Sequence, residues 1–224
     1  MWDAPKAVMM FAAGRGTRMA PLTDHLPKPL VQVAGRALID HAFDLVADCE
    51  PVVVNTHYLA SQVERHLAGH DVDIVHENEL LETGGGLRNA LPVLGTDPVI
   101  TLNTDAVWRG GDVVNQLRTA WDPGRMDALL ALIHPKNAFG HSGEGDFLLD
   151  IDGRLTRGPG LVYTGAQIIK TERLAEIQDA AFSMNVIWDM FAREDRLFGV
   201  EYTGAWCDVG QPESIRVAEA MLDV

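Results

Sequence analysis

Continuous apolar runs alternate with stretches of helical periodicity through the first half of the chain. The runs Lys6–Ala12 and Pro51–Thr56 are typical of strands buried on both faces, whereas helical periodicity covers Ala37–Asp48 and Leu59–Leu67. Three further stretches continue the alternation: "DVDIVHE" (71–77, strand), "GGLRNALPVL" (85–94, short helix) and "PVITLNTD" (98–105, strand). The alternation predicts a doubly wound, mostly parallel α/β sheet over roughly the first 120 residues.

The pattern becomes more mixed in the second half. "DALLALIHP" (127–135) and "LVYTGAQII" (161–169) predict strands, and "GDFLLDIDGRLTR" (145–157) predicts an antiparallel hairpin that turns at Asp152-Gly153. The predicted helices cover about Ser183–Ala192 and Gln211–Leu222. No repeat, low-complexity tract or linker interrupts the sequence. We therefore expect a single domain over 1–224, with one half covering about 1–125 and the other about 126–224.

Composition narrows the class of protein. The chain has 224 residues, of which 47% are hydrophobic, so it can bury a core without disulfide bonds or metal ions. A formal charge of −14 disfavours nucleic acid and anionic membranes as partners, because no basic surplus is available to neutralise them. The two cysteines have no metal-binding spacing, and no stretch of about 20 apolar residues could span a bilayer. We expect a cytoplasmic protein.

The stretch "FAAGRGTRMAPLTDHLPKP" (11–29) follows the first predicted strand and has the glycines of a phosphate-binding loop. It lacks the Gly-Lys-Ser/Thr ending of a Walker A loop, since Gly16 is followed by Thr17 and Arg18. It also lacks the third glycine of a dinucleotide-binding loop, because Met19 stands there instead. The stretch therefore fits neither of the two best-known nucleotide-binding loops.

The composition of this loop nevertheless favours phosphate. Gly14 and Gly16 let the backbone approach an anion closely. Arg15 and Arg18 supply charge-assisted donors for phosphate oxygens. Lys28 stands between two prolines, which present its ammonium on a stiff segment. The alternative is a glycine-rich turn with solvated cations, but three cations beside two glycines in an acidic chain favour a phosphate site.

Two aspartates are candidates for metal binding. Asp105 ends the predicted strand 98–105, and Asp208 lies in "WCDVG" before a glycine turn and the last helix. Carboxylates that leave open positions for phosphate oxygens are the usual ligands of Mg²⁺ in phosphate chemistry. Each aspartate, taken alone, is more typical of an ordinary turn or helix cap.

A third feature is the glycine cluster in "ENELLETGGGLRNAL" (77–91), which we place at a loop-to-helix junction. Backbone atoms exposed at such a junction can contact the edge of a base, because no side chain blocks its approach. The alternative is a flexible entry to the helix. The eight histidines show no zinc-binding spacing and are interpreted as structural or solvated.

The stretch "AAGRGTRMAPLTDHLPKPL" (12–30) resembles the N-terminal signature of the sugar-1-phosphate nucleotidyltransferases. The resemblance implies the glycosyltransferase-A type of α/β fold, with a small antiparallel sugar-binding extension. It also implies that the loop wraps a nucleoside triphosphate, that Arg18 helps to hold the β- and γ-phosphates, and that Lys28 contacts the transferring phosphoryl group. The nucleotide-binding residues implied in the loop are Ala13, Gly14, Arg15, Gly16 and Thr17.

The same family carries one metal-binding aspartate at the end of the strand that follows its nucleotide-binding segments. It carries a second in a Trp-x-Asp-φ-Gly pattern, where φ is a hydrophobic residue. Asp105 matches the first and Asp208 matches the second, which implies that the pair holds Mg²⁺. The family usually has glycine before the first aspartate, whereas this chain has Thr104. We expect the threonine side chain to narrow the approach of a ligand.

Within the family, "ETGGG", "GDF" and the length of the chain look most like the small uridylyltransferases that act on N-acetylmuramic acid 1-phosphate in cell-wall recycling. This resemblance implies base contacts from Thr83, Gly84 and Gly85. It also implies that Asp146 and the backbone of Gly165 face the sugar, although a structural hairpin aspartate is an almost equal alternative for Asp146.

The resemblance implies a Mg²⁺-dependent, in-line transfer of a nucleotidyl group from UTP to a sugar 1-phosphate, with release of pyrophosphate. Asp105, Arg18 and Lys28 are the residues expected to carry catalysis. Alternatives are a transferase that uses GTP or CTP with mannose or glucose 1-phosphate, and a nucleotide-binding regulator without catalysis. A Rossmann-type oxidoreductase is a third, disfavoured by the missing glycine.

Overall fold

The computed structural model describes residues 4–95 and 97–223. Within these ranges the chain forms six α-helices and fourteen β-strands. The helices are α1 (Leu38–Phe43), α2 (Ala60–Leu67), α3 (Glu82–Leu94), α4 (Val113–Ala120), α5 (Met184–Arg193) and α6 (Pro212–Leu222). The strands are β1 (Val8–Phe11), β2 (Gln32–Val33), β3 (Arg36–Ala37), β4 (Val52–Thr56), β5 (Asp73–His76), β6 (Val99–Asn103), β7 (Ala106–Arg109), β8 (Ala128–Ile133), β9 (Ala138–Phe139), β10 (Phe147–Leu149), β11 (Leu155–Arg157), β12 (Val162–Ile169), β13 (Leu197–Tyr202) and β14 (Ala205–Asp208).

A seven-stranded sheet in the order β13-β8-β12-β6-β1-β4-β5 forms the centre of the fold. Strands β6, β1, β4 and β5 are mutually parallel, and β13 is parallel to β8. Strand β12 runs antiparallel to both of its neighbours, β6 and β8. The predicted α/β class with a mostly parallel sheet is therefore confirmed.

Helices cover both faces of this sheet because strand residues alternate between two cores. Val8 and Met10 of β1 face a core that includes apolar residues of α1, α2 and α4. Met9 faces the opposite core, which α3 and α5 complete. This arrangement explains why the central strands are apolar at consecutive positions rather than at alternate ones.

A smaller three-stranded sheet, β7-β14-β9, packs against α6 beside the carboxyl edge of the central sheet. Its buried core joins Val107 and Cys207 to Met19 of the glycine loop and to Ala218 and Met221 of α6. The predicted hairpin is present as β10 and β11, which pair antiparallel around a turn with Gly153 at φ +86°. The central sheet and the three-stranded sheet each combine strands from before and after residue 125.

Two predicted helix boundaries are wrong. Helix α1 ends at Phe43 rather than Asp48, because Arg36 binds the Asp40 carbonyl and the Asp44 carboxylate, and residues 44–49 continue as tight turns. Val46 still packs into the core, which is why the periodicity looked helical. Helix α3 begins at Glu82 rather than at Gly85, so the three glycines lie inside the helix instead of before it.

No helix in the described parts of the chain combines the length and the apolar character needed to cross a bilayer. The single domain over 1–224 and its division into halves near residue 125 both stay predictions.

Candidate active site

A cleft opens at the carboxyl ends of β1 and β6, between the glycine loop and the first turn of α3. Ligands of open parallel sheets bind at this edge, where the connecting loops diverge. The residues that line the cleft are Phe11, Ala12, Gly14, Lys28, Pro29, Asn55, Leu80, Glu82, Thr83, Asn103, Thr104 and Asp105.

The glycine loop is anchored at both ends and exposed in the middle. At its start, the Ala12 amide donates a hydrogen bond to Asn55 Oδ1 at 2.8 Å. At its end, Met19 is fully buried, and the Thr23 hydroxyl donates to the carbonyl of Gly16 at 2.9 Å. Gly16 has φ +63°, which glycine adopts without strain. Between the anchors, the exposed residues are Gly14, Arg15, Thr17 and Arg18, whereas Ala13 is buried.

Lys28 is a buried cation in the wall of the cleft. Its residue is 9% exposed, and its Nζ lies 2.7 Å from Asp105 Oδ2. A Cβ at Gly16 would lie only 2.8 Å from the Lys28 Cβ, so glycine at this position makes room for the lysine. Lys28 also lies between two prolines, at the first position of a short 3₁₀ turn. The prolines limit the backbone conformations that it can adopt.

Strand pairing brings Asp105 and Asp208 together. The Asp208 residue pairs with Ala106 across β14 and β7, and the Val209 amide donates to the Asp105 carbonyl at 3.0 Å. Burial raises the pKa of Asp208, and the neighbouring Asp105 charge raises it further, while Lys28 and Arg18 act in the opposite direction. Two carboxylates that are distant in sequence therefore share one site with two cations.

Arg18 reaches the same site from the glycine loop. A Cβ built on Gly210 would lie 2.8 Å from Asp208 Oδ2 and 3.1 Å from Arg18 Nη1. A side chain at position 210 would therefore crowd both groups, and glycine leaves room for them. His141 also lies close enough to lower the pKa of Asp208.

The donor set suits a hard divalent cation. The described residues contain no group of three or more His, Cys, Asp or Glu side chains that could hold a metal by themselves. Mg²⁺ is usually bound in phosphate-transfer sites by one or two carboxylates together with phosphate oxygens and water. The pair Asp105 and Asp208 fits this incomplete type of site.

The glycine cluster of α3 differs from the exposed junction that the sequence predicts. The amides of Gly84 and Gly85 both donate to the carbonyl of Phe182, at 2.9 and 3.1 Å. A Cβ at Gly84 would overlap the Phe182 ring, and one at Gly85 would lie 2.5 Å from the carbonyl of Ala180. These glycines are buried, and they let residues 180–182 pack closely against α3.

Of the three residues predicted to contact the base, Thr83 lines the cleft. Its hydroxyl accepts a hydrogen bond from the Met184 amide at 2.9 Å, which links the cleft wall to the start of α5.

The two predicted sugar-binding residues have partners within the protein. Asp146 accepts a hydrogen bond from the Tyr163 amide at 2.8 Å through Oδ2. Gly165 is buried at φ +87°, in the irregular part of β12, and a Cβ there would lie 2.8 Å from the Asn103 Cβ. Glycine at position 165 thus allows Asn103 to occupy the cleft wall.

Sequence reasoning missed the polar side chains behind the cleft. Asn55 Nδ2 donates to Glu77 Oε1 at 2.6 Å, and Glu77 Oε2 accepts from the Leu81 amide at 3.0 Å. Both side chains are almost fully buried, at 2% and 1% exposure. The signal available was a polar residue ending an apolar strand, as with Asn55 after "PVVV" and Asn103 after "VITL".

Thr104 lines the cleft, and the expectation that it narrows the approach of a ligand stays a prediction. Its hydroxyl donates to the carbonyl of Phe11 at 2.7 Å, so the side chain ties the end of β6 to the end of β1.

A Rossmann-like sheet that carries a glycine loop, a buried lysine and two adjacent carboxylates at its carboxyl edge defines a nucleotide-binding class of protein. Residues 8–144 match the MobA-like NTP transferase domain. The chain is 42% identical to the N-acetylmuramate alpha-1-phosphate uridylyltransferase of Caulobacter vibrioides, with 99% of both chains covered. It is 34% identical to the enzyme of the same name from Neisseria meningitidis, with 95% of this chain and 96% of the other covered.

Solved structures of low sequence identity share the fold. HddC from Yersinia pseudotuberculosis, complexed with GMP-PN, aligns with a TM-score of 0.75 at 20% identity over 97% of this chain and 99% of the other. A UDP-glucose pyrophosphorylase complexed with UDP-glucose aligns with a TM-score of 0.76 at 17% identity over 98% of each chain.

The chain therefore belongs to the MobA-like NTP transferase family and, within it, to the sugar-1-phosphate nucleotidyltransferases, enzymes that transfer a nucleotidyl group to a sugar 1-phosphate. The resemblance of the glycine loop to this family is confirmed. Nucleotidyltransferases of this family generally use a divalent metal ion.

Proposed function

We propose that this enzyme transfers the uridylyl group of UTP to N-acetylmuramic acid 1-phosphate and releases pyrophosphate. The observation that carries the proposal is 42% identity over 99% of the chain to a uridylyltransferase for that sugar phosphate. The product would be a UDP-linked sugar suited to peptidoglycan recycling. Use of a nucleoside triphosphate also supports the cytoplasmic location that the sequence predicts.

The reaction is an in-line displacement at the α-phosphorus of the nucleotide. A phosphate oxygen of the sugar 1-phosphate forms the new P–O bond, and the bond between the α-phosphorus and the bridging oxygen of pyrophosphate breaks. The attacking oxygen is already ionised, so no side chain has to remove a proton. The protein therefore acts by positioning the two phosphates and by offsetting their mutual repulsion.

We infer that the glycine loop holds the triphosphate. Arg15 and Thr17 are exposed at the loop surface, Arg18 extends towards Asp208, and the exposed Gly14 adds a residue without a side chain, so that all four can contribute to binding phosphate oxygens. Gly16 and Ala13 shape the loop rather than present a side chain. Lys28 lines the cleft wall, and we assign to it the contact with the transferring phosphoryl group.

The second wall is inferred to hold the base and the sugar. Thr83 and Leu80 line it at the start of α3, and Gly84 and Gly85 act by letting the helix pack against Phe182. On the acceptor side we assign Asn103 as the group that faces the sugar phosphate. Gly165 makes room for Asn103, and Asp146 holds the adjoining strand β12 through Tyr163.

Asp105 and Asp208 are the residues that would hold Mg²⁺. A bound Mg²⁺ supplies positive charge that stabilises the negative charge developing on the transferring and leaving phosphates. Arg18 and Lys28 add to that charge from the two sides of the carboxylate pair.

The test is pyrophosphate release with Mg²⁺, measured for four nucleoside triphosphates against the 1-phosphates of N-acetylmuramic acid, N-acetylglucosamine, glucose and mannose. We expect release with UTP and N-acetylmuramic acid 1-phosphate, and a product of the matching mass. The same assay with Asp105→Asn excludes a contaminating transferase. Turnover with a different pair would support nucleotidyl transfer but reject the assignment of UTP and N-acetylmuramic acid 1-phosphate as substrates. Absence of turnover with every pair would reject the proposal.

A further inference from the structure

Lys28 and Asp105 form an ion pair inside the cleft. The ammonium lies 2.7 Å from Asp105 Oδ2, and the side chains are 11% and 34% exposed. A nearly buried ammonium needs a negative partner, and in the free protein no substrate phosphate can supply one. Here the lysine instead binds one of the two carboxylates to which the metal site is assigned.

The charges of the site balance without a metal ion. Asp105 and Asp208 contribute two negative charges, and Lys28 and Arg18 contribute two positive charges. A divalent cation entering alone would leave the site with an excess of positive charge, because both resident cations stay nearby. A nucleoside triphosphate that enters with the metal removes this excess.

The divalent metal ion and the Lys28 ammonium also need the same carboxylate, that of Asp105. A Mg²⁺ ion binds carboxylate oxygens at about 2.0–2.1 Å, closer than the 2.7 Å of the ammonium contact, so the two cations compete for Asp105. The surroundings hold Lys28 in place for this competition. Its backbone lies between two prolines, and its Cβ occupies space that a side chain at position 16 would fill.

We propose that Lys28 is an exchangeable counter-ion of the metal site. In the free protein it neutralises Asp105 and keeps the affinity for divalent metal low. When metal and nucleotide arrive together, the metal takes Asp105, and the released ammonium turns to the phosphate that is transferred. This inference rests on the proposed assignment of Asp105 and Asp208 to the metal. In this exchange the metal ion replaces the Lys28 ammonium at Asp105, and the same event allows Lys28 to contact the phosphate.

The exchange is tested by binding of Mn²⁺ alone, followed by electron paramagnetic resonance without nucleotide. Lys28→Met and Lys28→Gln remove the competing charge, and the glutamine retains a hydrogen-bond donor in case the methionine variant folds poorly. Both should bind Mn²⁺ about tenfold more tightly than the native protein. Lys28→Arg retains the charge and should bind Mn²⁺ as weakly as the native protein.

Lys170 provides a matched control. It forms an ion pair with Asp127 at the same distance of 2.7 Å, at the start of β8 and therefore at the opposite edge of the sheet. Lys170→Met changes the net charge by the same amount and should leave Mn²⁺ affinity unchanged. An equal gain in Lys170→Met would show a general charge effect and overturn the proposal.

A second measurement repeats the titration with a non-hydrolysable UTP analogue. The analogue should increase Mn²⁺ affinity strongly in the native protein and much less in Lys28→Gln, because the exchange has already been bypassed. Unchanged or weaker Mn²⁺ binding by both neutral variants overturns the exchange, even when the native enzyme transfers uridylyl groups. Absence of transfer by the native enzyme rejects the substrate assignment instead, so the two failures are distinguishable.

Discussion

Asp105 and Asp208 share one site but differ in their partners. Asp105 is paired directly with Lys28, whereas the Asp208 carboxylate has no hydrogen-bond partner within the described residues, where only its backbone carbonyl accepts from the Cys207 thiol. Burial and the Asp105 charge therefore make ionised Asp208 costly in the folded protein. The same features make the pair attractive to a divalent cation.

We predict that Asp208→Asn is more stable than the native protein at pH 7.5 in EDTA, although it loses transfer activity by roughly 100-fold or more. The pKa of Asp208 is raised in the folded protein, so between the unfolded and the folded pKa the folded state binds more protons than the unfolded state. The free energy of unfolding therefore falls as the pH rises through this range. Below the unfolded pKa both states are protonated, and the advantage of asparagine should vanish. Urea unfolding at several pH values measures this, and a less stable variant at pH 7.5 contradicts it.

Asp105→Asn should behave in the opposite way. It removes the charged partner of buried Lys28, so we expect a loss of roughly 1–2 kcal/mol in the free energy of unfolding, with the fold retained. Transfer activity should fall by about 100-fold or more, because the metal site and the lysine are both disturbed. Unfolding curves and turnover with Mg²⁺ test this. Native turnover by Asp105→Asn with Mg²⁺ would contradict the assignment of Asp105 as a metal ligand.

Helix α3 is stabilised by its contact with residues 180–182 rather than by intrinsic helix propensity. Its three consecutive glycines are poor helix formers, each costing about 1 kcal/mol relative to alanine. Gly84 and Gly85 are tolerated because residues 180–182 lie against them, whereas Gly86 makes room for the side chains of Glu77 and Asn55. Arg88 of the same helix donates to the carbonyls of Ile177, Asp179 and Ala180. The start of α3 is thereby positioned beside the cleft.

We predict that Gly85→Ala destabilises the protein by about 1–3 kcal/mol, although alanine favours an isolated helix. The added Cβ would lie 2.5 Å from the carbonyl oxygen of Ala180, a backbone atom that cannot rotate away. Because Thr83 moves with the helix, the Michaelis constant for UTP should also rise. Gly69→Ala is the control, since no atom lies within 4 Å of its Cβ position. Equal stability of the two variants would contradict this account.

The central sheet and the three-stranded sheet both contain strands from the two halves of the chain. The central sheet pairs β6 with β12, and the small sheet pairs β7 with β14, so each sheet joins strands from before and after residue 125. The two cores on either face of the central sheet likewise draw on both halves. We therefore expect that neither half can bury its apolar surface alone.

We predict a single unfolding transition in urea, with intrinsic fluorescence and far-ultraviolet circular dichroism giving the same midpoint. A fragment of residues 1–125 should show no cooperative transition, because β6 loses its neighbour β12 and α3 loses its contact with residues 180–182. Two separated transitions in the full chain, or a fragment that unfolds cooperatively, would show that the halves are independent domains.

Local sequence was sufficient where short-range physics decides the structure. Apolar runs predicted β1, β4, β6, β8 and β12, since a strand covered on both faces has to be apolar throughout. The hairpin followed from Asp152-Gly153 because glycine accepts the positive φ of the turn. Prediction was wrong at the ends of α1 and α3, where Arg36 and residues 180–182 outweigh local propensity.

The glycine loop could be related to a family from residues 12–30 alone, because phosphate chemistry requires glycines and cations at short spacing. Other properties arise from contacts between distant parts of the chain. Strand pairing brings Asp208 to Asp105, and the fold places Lys28 on that carboxylate. The partner that a polar group finds, whether Tyr163 for Asp146 or Phe182 for Gly84, depends on long-range packing. No pattern of neighbouring residues encodes such a partner, so these features emerged only when the chain was folded.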